Sequence, residues 1–295
     1  MAQTLFPFVN VQKDSDKYFT YGRTILGDGN STSEWLDSTD PPEVTSGRST
    51  QSFSCVQHGL ADYVTDEEIR NSDNPLQPFM DTTAELTERL LLELEKQVAT
   101  KATTQGNYPA ANTTQLSGTS QWSDFTNGDS DPIDDILVGI DVIRTQIGKM
   151  GNICLAVGGA VHFKLIQHPD VVDFAKRSLG RLPNNADMVN LFQGLGVNRY
   201  VVAGGVKNTA DEGAAESISD VWGKHAVLAY PPDSPGLKRP AYGYTFSSVR
   251  ARVEREPRRN HAVKVIASMT WDPQFICQDS NGDSIAGYLI EDAVA

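Results

Sequence analysis

Cysteine is scarce in this 295-residue chain: its three residues, Cys55, Cys154 and Cys277, stand far apart and are odd in number. That excludes a disulfide framework and a CxxC-type metal site, and reads as free thiols in a reducing compartment. Long apolar runs are missing too. No stretch approaches the roughly 18 apolar residues of a membrane span, and the opening Met-Ala-Gln-Thr-Leu-Phe-Pro lacks the basic segment and apolar core of a secretion signal. Positive charge is in deficit, with 25 Lys and Arg against 38 Asp and Glu, a net charge of -13. A surface that grips nucleic acid phosphates needs clustered cations, so such a grip is excluded, whereas an acidic wall beside nucleic acid is not.

The signatures of common enzymes are absent as well. There is no GxSxG elbow, no HExxH helix and no GxxxxGKS/T loop. His58, His162, His168, His225 and His261 are scattered, without a metal-ligand neighbour at useful spacing. Asp279 to Asp283 begins like a calcium loop, but Gly282 is misplaced and no bidentate Glu follows, which leaves a hairpin turn. Gly158-Gly159 and Gly204-Gly205 lack the spacing of a dinucleotide fingerprint and read as tight turns. Asp134, Asp135 and Asp141 belong to a helix start and its solvated face. No catalytic, cofactor-binding or metal-binding residue is expected.

What is present is a folded core, with 39% hydrophobic content, and one long amphipathic segment over 74–104. Phe79, Leu86, Leu90, Leu94 and Val98 recur at four- and seven-residue steps and form one stripe of a helix roughly 40 Å long, with Asn74 as cap and Pro75 at its first position. A second helix starts at Asp131-Pro132 and carries Ile133, Ile136, Ile140, Ile143 and Ile147 to a stop at Gly148. Strands are expected at 18–21, 51–56 and 59–64. The stretch between the first two is broken by Gly, Pro, Asn and Ser, with little to pack beyond residues such as Trp35 and Leu36.

Further on, the pattern is a strand at 153–157, a helix at 160–167 stopped by His168-Pro169, a helix at 186–193 and a buried strand at 199–203, a small α/β unit. Residues 207–219 read as a loop and 226–230 as a strand. Two long strands at 242–253 and 262–269 are joined by a charged connection over 254–260, and Asn281-Gly282 turns the chain into a last strand at 285–290. The Arg250 to Arg259 run has two readings: a solvated hairpin tip, or an interface in which alternating Arg and Glu meet the same loop of symmetry mates. The 23–50 stretch is likewise either disordered or an arm laid across a neighbour.

The order of these parts resembles a known family. Ser15 to Tyr21 before the broken stretch, Cys55 to Asn74 leading into the helix, Leu116 to Asp124, Asp131-Pro132-Ile133, His168-Pro169-Asp170, Asp220 to Lys224 and Ala286 to Leu289 together resemble a major capsid protein of tailed bacteriophages with the HK97-type fold. The resemblance implies an α+β fold with an N-terminal arm (1–16), an extended β-hairpin loop (17–57), a peripheral domain with a long spine helix (58–150 and 242–272) and an axial α/β domain (151–241 and 273–295). It implies a subunit that meets copies of itself in pentamers and hexamers, closes an icosahedral shell around double-stranded DNA held by proximity, and works with a separate scaffold, a portal and a decoration protein. Its place would be the virion, after assembly in the host cytoplasm, and it would have no enzymatic activity. Leu5, Phe6, Phe8, Trp35 and Leu36 are the expected apolar contacts between subunits, and Arg250, Arg252, Glu254, Arg255, Glu256, Arg258 and Arg259 the expected charged ones. Some family members weld subunits by an isopeptide bond from a lysine in the extended loop. This chain has no lysine between Lys17 and Lys96, so that bond is not expected. Met1 favours a separate scaffold over a removed leader. The rivals are an encapsulin-like compartment of the same fold and a soluble α/β enzyme.

Overall fold

The computed structural model describes residues 1–23, 40, 48–73, 75–126, 128–148, 151–179, 185–210, 213–232, 236, 239–249, 251–258 and 261–295; at 177–179, 185–186 and 257–258 it describes the backbone alone. The chain opens with a single helical turn, α1 (Ala2–Leu5), and strands β1 (Phe8–Asn10), β2 (Ser15–Tyr21), β3 (Arg48–Ser54) and β4 (Val56–Thr65). Two helices follow, α2 (Asp66–Asn71) and α3 (Pro78–Thr103), then β5 (Thr113–Gln115) and α4 (Pro132–Ile147). The next block runs β6 (Ile153–Gly158), α5 (Gly159–Gln167), α6 (Pro169–Leu179), α7 (Asn185–Gln193) and β7 (Val197–Ala203). It closes with β8 (Val206–Asn208), β9 (Ile218–Asp220), β10 (Ala226–Ala229), β11 (Gly243–Ser247), β12 (Arg252–Arg258), β13 (Ala262–Phe275) and β14 (Gly287–Glu291).

Helix α3 is the expected spine. It has 26 residues, about 39 Å at 1.5 Å per residue, and buries Leu86, Leu90, Leu94 and Val98, with Phe79 half-buried at its start. It begins later than expected: Gln77 takes the cap position and Pro78 the first turn, while Pro75 lies in a turn ahead of it. Both prolines suit a first position. The later one wins because the Asp81 carboxylate accepts from the Gln77 N–H at 3.1 Å, satisfying a donor that the helix itself cannot. Helix α4 follows its sequence closely. Asp131 Oδ1 accepts from the amides of Ile133 and Asp134, each at 3.0 Å, and Gly148 ends the helix in the left-handed region at φ 65°.

Two five-stranded sheets carry the core. In the first, β13 pairs antiparallel with β4 over its whole length up to Trp271, and with β12 and β11, while β1 runs parallel to β11. Helix α3 covers its inner face, where Trp271 Nε1 donates to Gln97 at 2.8 Å and Lys101 Nζ to the Pro273 carbonyl at 2.6 Å. The second sheet has the order β5-β14-β10-β6-β7, with α4 packed on β14 and β10. Strands β2 and β3 form a separate antiparallel ribbon, from Ser15 opposite Ser54 to Tyr21 opposite Arg48; most of the stretch between them, where the extended loop is expected, lies outside the described residues.

Several expectations are corrected here. His168-Pro169 ends α5 as expected, but a helix not expected from the sequence, α6, opens at Pro169, because proline lacks only an N–H that a first helical position leaves unpaired. Strand β7 is the edge of its sheet and only partly buried: Asn198 and Arg199 are exposed, and Tyr200, Val201 and Val202 are half-buried. Residues 206–208 and 218–220, expected to lie in or beside a loop, pair as a short hairpin. The strand expected over 242–253 is broken between β11, whose register with β13 ends at Phe246 opposite Asp272, and β12, whose register begins at Arg252 opposite Ser268. The Thr270 hydroxyl seats that bulge by accepting from the amides of Ser248 at 3.1 Å and Val249 at 2.8 Å. The charged residues from 254 onward are therefore strand, not connection, paired rung by rung with Ala262 to Ile266.

Candidate functional site

The arm residues expected at a neighbour lie in their own subunit. Leu5 is 0% and Phe6 1% exposed, and the Phe6 ring packs against Tyr242 and Phe275 at centroid distances of 5.1 and 5.5 Å. The arm is tied down as well as buried. Glu95 on α3 accepts from the Ala2 amide at 2.7 Å and from Trp222 Nε1 at 2.6 Å, joining arm, spine and the segment before β10. Thr245 Oγ1 donates to the Phe6 carbonyl at 3.0 Å, and β1 then extends the first sheet with Phe8 half-buried. An apolar arm this close to its own core gains more by docking there than by staying in water for a partner. Leu5 and Phe6 are thus intrasubunit anchors, a correction to their expected role.

The charged set lies on β12. Arg252 and Glu254 form an ion pair, the Arg255 guanidinium sits 4.6 Å from the centre of the Phe79 ring on α3, and Glu256 is exposed. Arg258 is the last residue of the strand. Arg250, Arg259, Trp35 and Leu36 lie outside the described residues.

Potential chemistry resolves into structure. Ser130 Oγ lies 3.1 Å from His168 Nε2, and His168 Nδ1 lies 3.4 Å from Asp170, the order of a hydrolytic triad. Ser130 is 3% and His168 2% exposed, however, so no substrate reaches them. The Asp170 amide donates to Nδ1 at 3.3 Å, which leaves the Nε2 hydrogen for Ser130 and makes the network a brace between the 118–131 segment and the α5–α6 corner. His162 pairs with the Tyr200 hydroxyl at 2.7 Å, and His58 stacks on Trp271 at 3.9 Å. Burial holds the pKa of both His162 and His168 below the usual imidazole range. Asp135 accepts from Trp122 Nε1 at 2.8 Å, and burial raises its pKa. Asp279 spends Oδ1 on the amides of Asn281 and Asp283, at 2.8 and 3.0 Å, as a turn does. Gly158 is required by packing rather than by phosphate: a Cβ there would lie 2.2 Å from the Gly223 carbonyl oxygen. Among the described residues no group of three His, Cys, Asp or Glu could hold a metal, and no helix is long and apolar enough to cross a membrane.

The surface holds what sequence reasoning missed. Phe163, Val206 and Ile218 are exposed on the second sheet's side, and Val56, Leu60 and Tyr63 on β4. Alternation could have flagged β4, but only the pairing shows which of its groups remain open. A cavity of about 690 Å³ lies at the root of the β2–β3 ribbon, lined by Tyr18, Phe53, Tyr244, Phe246, Lys13 and Lys17 among others.

A subunit with two sheets on a spine helix, a projecting hairpin and polar groups spent on its own backbone is built like a shell-forming structural protein of the HK97-like α+β fold. Residues 50–271 match the phage capsid protein family, and the chain belongs to it. The major capsid protein of Burkholderia phage BcepMu is 28% identical over 254 residues, covering 83% of this chain and 77% of that protein. A phage-related protein of Bordetella bronchiseptica RB50 superposes with a TM-score of 0.74 at 24% identity, covering 99% of this chain and 91% of its own. The mature capsid of bacteriophage PhiM1 has a TM-score of 0.57 at 14% identity, covering 99% and 86%. The protein is a structural shell subunit of a phage, and its place is the capsid of the virion.

Proposed function

We propose that this chain is the major capsid subunit of a tailed phage, which closes an icosahedral shell from pentamers and hexamers of itself around packaged double-stranded DNA. The observation that carries the reading is the family match over residues 50–271, which takes in the spine helix, most strands of both sheets and the charged strand β12. The acidic balance of the chain supports it, because a wall of net charge -13 confines DNA without gripping it. A separate scaffold, a portal and a decoration protein complete the proposed assembly. With no lysine between Lys17 and Lys96, this shell is held by non-covalent contacts rather than by an isopeptide bond from the loop.

In this reading 1–16 is the arm and 17–57 the extended loop. The peripheral domain is the first sheet with α3, and the axial domain the second sheet with its helices. Strand β5 and helix α4 pack on β14 and β10, which favours moving 113–147 from the peripheral to the axial domain. The test is electron microscopy of the purified chain, expressed with and without its neighbouring phage proteins. Rings of five or six subunits, or closed shells, are the expected outcome; a compact monomer under every condition counts against it.

A further inference from the structure

The ribbon of β4, β13 and β12 has two edges of opposite character. Asp66 N–H bonds to the His261 carbonyl at 2.8 Å at one end of the β4–β13 ladder. Antiparallel alternation then turns the even-numbered residues of β4 toward β13 and presents the backbone groups of Gln57, Gly59, Ala61 and Tyr63 outward. The Tyr63 amide is taken by the Asp62 carboxylate at 2.8 Å. Gln57, Gly59 and Ala61 have no backbone partner on that side among the described residues. On the other edge, the Thr270 amide bonds to the Val249 carbonyl at 2.9 Å, and the same rule presents Val253, Arg255 and Pro257 of β12 outward. Pro257 has no N–H to offer, and Arg252, Glu254, Arg255 and Glu256 crowd that strand with charge. These are the devices that keep an edge from pairing.

Strand β4 carries only one such device, Asp62, at its far end. From Val56 to Val64 its single charged residue is Asp62, and Val56, Leu60 and Tyr63 are 58, 38 and 43% exposed. Beside the open edge, the outer face of the sheet holds a trough of about 370 Å³ over Gly59, Ala61, Ile266 and Ser268, with the Arg252–Glu254 ion pair of β12 at its far side, and the short side chains on β4 leave room for the alternate residues of an added strand.

We propose that the β4 edge is completed by an extended segment of a second copy of this chain, hydrogen-bonded to the backbone of Gln57, Gly59 and Ala61. The proposal rests on the shell reading above and names where one copy holds the next. The edge offers unpaired backbone groups, with Asp62 as the single charge on β4 between Val56 and Val64, so what fits it is a strand. A long unguarded edge would pair unspecifically unless assembly itself consumed it. A second copy is the strand donor always present in the numbers a shell requires.

The test reads amide exchange residue by residue in the unassembled wild-type chain and in assembled particles. The amides of Gln57, Gly59 and Ala61 are expected to exchange at least about 100-fold more slowly after assembly. Ala61→Pro removes one outward N–H and none of the intrachain ladder, and is expected to cut the fraction of chains in particles about tenfold with an unchanged circular dichroism spectrum. Should that variant misfold, Gln57→Lys, which adds an edge charge, is read the same way. Wild-type particles whose three amides stay fast overturn the proposal while leaving the shell reading intact. A wild-type chain that forms no particles overturns both.

Discussion

Burial keeps His168 neutral: it lowers the pKa from the ordinary 6.5, and the charges of Asp170 and Asp131 only partly oppose it. His162 is shifted the same way by burial. A base whose folded pKa is depressed takes up its proton first in the unfolded chain. Its contribution to stability is therefore full above 6.5 and falls as the pH drops from there toward the folded pKa. Unfolding by urea at about pH 7.5 and about pH 5.5 should show the loss, and His168→Phe should show less of it. A variant with an undiminished pH slope would sink the assignment. Other single residues were harder to place from sequence. Phe6 and Leu5 look alike whether they serve a neighbour or their own core, and only the rings of Tyr242 and Phe275 around Phe6 decide the matter. Glu95 sits in a helix rich in acids, where nothing marks it as the acceptor for both Ala2 and Trp222.

Elements with local causes are legible in advance. Helix α4 has its cap, its first-turn proline, its isoleucine stripe and its terminal glycine all in sequence order, and the observed Pro132–Ile147 follows them. Removing the cap by Asp131→Ala strips the amides of Ile133 and Asp134 of their acceptor, and should cost about 1 kcal/mol, within a range of roughly 0.5–2. A shift in the urea midpoint measures it, and a loss below a few tenths would mean that solvent caps the helix equally well. Elements whose existence depends on a distant partner are not legible in this way. Residues 254–258 read as a charged connection because five of the seven residues in β12 are charged. They form a strand because β13, 14 residues long, supplies a partner for each. Helix α6 was hidden by Pro169, whose two meanings, stop and start, differ only in what lies ahead.

At the scale of the whole molecule the dominant quantity is charge. Copies of a chain with net charge -13 repel one another, and added salt screens that repulsion over a Debye length that shortens with ionic strength. Raising salt from about 50 to about 300 mM should therefore lower the concentration at which particles first appear, as followed by light scattering. The opposite trend would mean that assembly depends on attractive ion pairs such as those of β12, and that these outweigh the net repulsion. The fold also puts several polar side chains to structural use. Asp131, Asp135 and Asp279 are each committed to a backbone or indole donor, and Ser130 and His168 to each other. The family's structural role agrees with that use of polar groups.

The amino-acid sequence by itself determined the spine helix, the capped second helix, the strands flanking the extended loop, the acidic surface and the order of parts that marks a capsid subunit. Periodicity, capping and charge act over a few residues, or simply add up along the chain. Tertiary structure alone decided that the arm docks at home, that the charged run is a strand, that 113–147 packs on the second sheet, and that one edge of the ribbon is guarded while the other is open. Each of these depends on which distant segment lies alongside, and an antiparallel register exposes or buries a backbone group only once its partner is in place.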